Sequence, residues 1–107
     1  MDSACVILPF FKAAPGVLHP QAVNSLNSFA AVWCCIENIL LAATAEGLGC
    51  SLRIPVGEEG ANVARLMGAL KDYLLPCYLG IGYPAPEEEK LEQVEPQVAE
   101  RIHFGRW

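Results

Sequence analysis

Residues 28–50 read SFAAVWCCIENILLAATAEGLGC, and the changes of character along that stretch decide the fold. From Phe29 to Glu46 the residues favour a helix, with Ser28 placed as an N-cap whose hydroxyl can accept from first-turn N–H groups. Gly47 or Gly49 ends it in a left-handed cap. Apolar residues occur all round, interrupted only by Glu37, Asn38 and Thr44. A helix apolar on every side either sits centrally in a core or spans a membrane. Spanning needs ~20 mostly apolar residues, whereas this run is shorter and carries Glu37 and Asn38 at its centre. The sequence therefore predicts a long buried central helix. Glu37 and Asn38 then require partners, because burying them unpaired costs on the order of a few kcal/mol.

Outward from this helix the chain alternates short apolar runs with turn signals. Ala4 to Phe11 (ACVILPFF) reads as a buried strand that Pro9 pushes toward a sheet edge. Residues 13–27, rich in Pro, Gly, Asn and Ser, read as a loop with room for one helical turn. Cys50 to Ile54 (CSLRI) forms a short extended segment stopped by Pro55. Glu58 to Lys71 reads as an amphipathic helix, acidic in its first turn and with Lys71 in its last, both suiting the helix dipole. Val63, Leu66, Met67 and Leu70 fall at i, i+3, i+4, i+7 and are expected to face the core. Pro76 to Tyr83 (PCYLGIGY) is a second strand, closed by Pro84 and Pro86. At the end, Arg101 to Trp107 (RIHFGRW) alternates polar with apolar residues, which predicts an arm strand reaching for a sheet edge. The fold class is α+β: a long buried central helix, a small sheet and a C-terminal arm strand. Residues 1–86 form the α+β unit; residues 87–107 form an acidic linker and arm that pack on a partner subunit.

Composition narrows the function. The 107 residues allow one small domain; hydrophobic residues make up 53% and charged residues 18%. So apolar a chain of this size is expected to bury surface against a second subunit. Seven basic residues against twelve acidic give a net charge of −5, with no basic stripe for nucleic acid or an anionic membrane. Glu87, Glu88, Glu89, Glu92, Glu95 and Glu100 cluster as a solvated face. Five cysteines form no C-x-x-C pair. Met1 to Lys12 lacks the basic start and cleavage site of a signal peptide, so reduced thiols in the cytoplasm are expected, most of them packed as small hydrophobes. His19 and His103 lie at no zinc-ligand spacing, and no metal is expected. Catalytic triads, a P-loop and a strand-following G-x-G-x-x-G are all missing.

Four features in order resemble the nitroreductase family. They are IENILLAA (Ile36 to Ala43) running into EGLGC (Glu46 to Cys50), the segment Ser51-Leu52-Arg53-Ile54-Pro55, PCYLGIGYP (Pro76 to Pro84), and HFGRW (His103 to Trp107). The resemblance covers residues 28–84 and 100–107, corresponding to the C-terminal half of that fold. It implies an FMN-dependent oxidoreductase that passes hydride from NAD(P)H to a nitro, quinone or flavin acceptor. It also implies a homodimer with exchanged C-terminal arms. The flavin supplies the reactivity and the protein supplies binding, orientation and electrostatics, so no side chain is named as catalytic. By position, the resemblance lays Cys50, Ser51, Leu52, Arg53, Ile54 and Pro55 along the flavin ring, where backbone N–H donors would stabilise charge on the reduced ring.

Nothing in residues 1–27 resembles the arginine-rich opening that grips the flavin phosphate in that family, and Glu92 to Pro96 is acidic where its arm is basic. Lys90, Arg101 and Arg106 are the cations left to substitute. A second reading therefore stands beside the first: a non-catalytic dimeric α+β remnant that has lost flavin binding. A thiol redox role for Cys34-Cys35 carries little weight, since neighbouring helical residues point apart. Structural readings accompany each site residue. Arg53 is equally well an unpaired surface arginine near Glu58 or Glu59, and Cys50 a buried small hydrophobe. Trp33 is core, Trp107 packs on a partner, and His103 is structural. Tyr78 and Tyr83 need only hydrogen-bond partners.

Overall fold

A computed structural model describes residues 4–13, 26–86, 92 and 94–106. Its main sheet has three antiparallel strands: β1 (Cys5–Ile7), β5 (Tyr78–Gly82) and β3 (Gly49–Arg53), with β5 in the middle. Pro9 accounts for β1 being short and at the edge, because proline cannot donate to a ladder. Register places Ile7, Leu79 and Leu52 side by side, and Cys5, Ile81 and Cys50 in the next row. A two-stranded ladder joins β2 (Phe11–Lys12) to β4 (Tyr73–Leu74), extended by Ala13 N–H donating to the Asp72 carbonyl at 2.8 Å.

The long helix α1 (Asn27–Ala45) starts one residue before Ser28. Leu26 occupies the N-cap position, and no side chain caps the helix. Its end is a Schellman closure: Leu48 N–H reaches the Ala43 carbonyl at 2.9 Å and Gly47 N–H reaches Thr44 at 3.0 Å. Gly47 takes φ +73° to make that turn. Phe11, Val32, Ile36, Cys77 and Leu79 form the core, with Ile7, Phe29, Trp33, Ile39 and Leu40 packed around it. Trp33 meets Phe29 edge-on at 6.3 Å, as its core assignment requires.

The α+β class stands, with two differences of detail. First, α1 is buried along one stripe only, at Val32, Ile36 and Ala43. Ala31, Cys34, Cys35, Asn38, Leu41 and Ala45 are exposed on the other side, and Glu37 is exposed as well. Among the described residues α1 packs on β3 and β2 along that one stripe, so Glu37 and Asn38 on the open side stay hydrated and need no buried partners. Second, the arm forms a short helix α3 (Val98–Arg101), and residues 102–106 form no strand. A strand needs a neighbour to pair with, and residues 102–106 join neither of the described sheets.

The amphipathic helix is also shorter than its pattern. Helix α2 (Glu59–Leu66) stops before Gly68, which at φ +68° permits a second Schellman closure. Ala69 N–H donates to Ala64 at 2.9 Å and Gly68 N–H to Arg65 at 3.1 Å. Val63 is half-buried, but Leu66, Met67 and Leu70 are exposed. The helix turns away before its last apolar residues can reach the core, and Arg65 rather than Lys71 lies in the last turn. The residues 14–25 of the expected loop, Glu87 to Glu89, Lys90 and Trp107 lie outside the described set.

Candidate functional site

Strand β3 leaves α1 through the Gly47 turn and runs along one side of the sheet, with β5 as its only neighbour among the described strands. Every second residue of such an edge strand directs its N–H and C=O away from the sheet. The segment Cys50 to Pro55 therefore presents backbone donors and acceptors, except at Pro55, which has no N–H. Cys50, Leu52, Arg53 and Ile54 are exposed; Ser51 and Pro55 are half-buried. The exposed position of Cys50 corrects the expectation of a buried thiol. It shares a row with Ile81, but the core ends before reaching the strand at the edge. Cys5, Cys34 and Cys35 are exposed too, leaving Cys77 as the buried cysteine. Packing as small hydrophobes thus holds for one cysteine of five.

Arg53 is committed locally. Its Nη1 and Nη2 donate to Oε1 and Oε2 of Glu59 at 2.8 and 3.1 Å, a bidentate pair. The guanidinium also sits 5.7 Å from the centroid of the Tyr78 ring, its register partner across β3 and β5, a geometry favourable for a cation over an aromatic face. Glu59 Oε2 further accepts the Val56 N–H at 3.2 Å. The Tyr78 hydroxyl is buried and has no hydrogen-bond partner among the described residues, whereas Tyr83 is exposed. The sequence set Arg53 near Glu58 or Glu59 but as an unpaired arginine; its bidentate pairing with Glu59 and its place over Tyr78 were missed, because both depend on the turn at Gly57 and on the β3–β5 register.

Further hollows lie elsewhere among the described residues. One of about 680 Å³ runs beside α2 and β4, with Pro55, Ala61, Ala64, Lys71 and Leu75 in its lining. Another of about 420 Å³ is lined by Arg101, His103, Gly105 and Arg106 of the arm. It gathers two guanidiniums and an imidazole.

No family model matches the sequence, and no curated protein matches it. Solved structures do. A protein provisionally assigned as an NADH dehydrogenase/NAD(P)H nitroreductase from Bacteroides thetaiotaomicron superposes with TM-score 0.68 and 22% identity, over 98% of this chain and 56% of that one. One provisionally assigned as an NADH oxidase from Clostridium acetobutylicum superposes with TM-score 0.65 and 21% identity, over 98% and 60%. The chain has a nitroreductase-like α+β fold, and it spans less than two-thirds of the length of either solved chain.

Proposed function

We propose that this chain is a nitroreductase-type oxidoreductase, or the C-terminal part of one, working in the cytoplasm. It passes hydride from NAD(P)H through FMN to a nitro, quinone or flavin acceptor. The observation that carries the reading is the edge strand β3, whose outward backbone groups along Cys50 to Ile54 are open on one side, within a fold shared with proteins assigned as NAD(P)H nitroreductase and NADH oxidase. FMN, when bound, supplies two-electron redox chemistry, taking hydride from one substrate and delivering it to the next. Those backbone N–H groups between Cys50 and Ile54 that do not pair with β5 would orient the ring and stabilise negative charge on it. Pro55 contributes shape without a donor. Arg53, held by Glu59, serves the strand rather than the phosphate; Arg101 and Arg106 of the arm are the cations suited to the phosphate.

The partner in this reading is a second copy, with residues 87–107 forming the acidic linker and exchanged arm. The exposed face of α1 and the unpaired apolar residues of the arm, Val94, Ile102 and Phe104, support it. In the alternative reading, a non-catalytic dimeric remnant, the same assembly forms without flavin. The commitment of Arg53 to Glu59 favours that alternative, because it removes one cation from the flavin phosphate.

The test is direct. Protein purified from cells is expected to be yellow and to release FMN on denaturation, with the bound flavin bleached by NADH or NADPH under anaerobic conditions. Colourless protein that stays folded and dimeric and leaves added FMN fluorescence unchanged would refute the flavin reading and leave the remnant.

A further inference from the structure

The backbone leaving β3 is held in a closed ring of interactions that the flavin reading does not require. Glu59 Oε2 accepts the Val56 N–H at 3.2 Å, and the Glu59 N–H returns to the Val56 carbonyl at 3.2 Å. The first residue of α2 thus reaches back to Val56, which lies outside the helix, and ties the turn to the helix start. The same carboxylate grips both terminal nitrogens of Arg53. Arg53 is in turn anchored to the central strand through the Tyr78 ring. Residues 54–58 are therefore bracketed at both ends by one side chain, across a turn in which Gly57 takes φ +57°.

We propose that Glu59 is a positioning residue. Through Arg53 and the Val56 amide it fixes the backbone from Ile54 to Val56 in the shape that the strand offers to the flavin. The role rests on the flavin reading, but the ring itself does not. A single surface ion pair contributes little, and Arg53 and Glu59 are 62% and 32% exposed. What distinguishes Glu59 is that one carboxylate satisfies three donors on two chain segments. Loss of that carboxylate frees the turn, while the core around Ile36 and Leu79 keeps its packing.

The experiment compares the full chain with its Glu59→Ala, Glu59→Gln and Arg53→Lys variants by two readouts. Without flavin, amide hydrogen exchange at Val56 is expected to quicken ~10-fold in Glu59→Ala. It quickens less in Glu59→Gln, whose amide oxygen still accepts, and Leu79 exchange stays unchanged in both. With flavin, FMN affinity is expected to fall ~10-fold in Glu59→Ala, with part of it restored in Glu59→Gln and the flavin midpoint potential shifted in Arg53→Lys. Should Glu59→Ala fail to fold, Glu59→Gln carries the comparison, being isosteric. An unchanged Val56 rate overturns the ring. A faster Val56 rate with wild-type FMN affinity overturns the positioning role. Wild type that binds no FMN overturns the flavin reading together with that role, while the exchange rates still decide the ring.

Discussion

Cys77 and Cys50 carry the same side chain into opposite environments. Cys77 is fully buried beside Leu79 in the core, and desolvation pushes its thiol above the ordinary value of 9.0. Cys50 is exposed on β3. A thiol whose folded value is raised stabilises the fold below the unfolded value, and that contribution is lost as pH climbs through the folded value. Stability is therefore expected to decline above pH ~9, and to decline less in Cys77→Ala. Alkylation followed by peptide mapping should label Cys5 and Cys50 at once and Cys77 only on unfolding; equal rates would contradict the packing described. In the same core, Ile36 is 1% exposed. Ile36→Ala should destabilise by ~2–5 kcal/mol in urea unfolding, by lost transfer energy plus a cavity. Leu66, 81% exposed, should tolerate alanine within ~0.5 kcal/mol. At this scale the sequence marked Trp33 as core correctly but misplaced Cys50. Residue type does not say where a core stops.

Among elements, the pattern was most legible where one signal agreed with another. Helix α1 had propensity, length and a glycine stop, and it was found within two residues of its expected start. Strand β5 had an apolar run closed by prolines, and β3 a short extended segment between the Gly47 turn and Pro55. Ladder β2–β4 had two residues a side and no periodicity to read. Helix α2 misled because its i, i+3, i+4, i+7 pattern continues through Gly68, where the backbone instead turns left-handed. An L-residue there costs ~1–2 kcal/mol. Gly68→Ala and Gly47→Ala should each lower the unfolding free energy by about that amount, measured by thermal or urea denaturation, and no loss would mean the closures are not as described. The candidate site was legible as a segment, because Cys50 to Pro55 follows the Gly47 turn directly. Its ring through Glu59 was not, since it depends on a carboxylate returning across the loop.

Among the described residues much apolar surface is left uncovered. The radius of gyration is 17.3 Å, against roughly 13 Å for a compact chain of about 100 residues. Helix α1 is apolar and long enough, by length and composition alone, to cross a membrane. The packing of Ile36 in the core and the polar pair Glu37-Asn38 at mid-helix instead favour a core helix, and the partner proposed for its exposed face is a second copy. Sedimentation equilibrium should accordingly give twice the 11.6 kDa chain mass, and Leu41→Glu, on the exposed face, should shift the population toward monomer. A wild-type monomer at micromolar concentration would contradict that assembly. The central claim is that the β3 backbone is a flavin platform, and amide hydrogen exchange with and without saturating FMN tests it most directly. Protection is expected to rise at those amides of Cys50 to Ile54 that do not pair with β5, while the amides of α2 beyond Glu59 are unaffected. Unchanged exchange along Cys50 to Ile54 in the presence of FMN would contradict it.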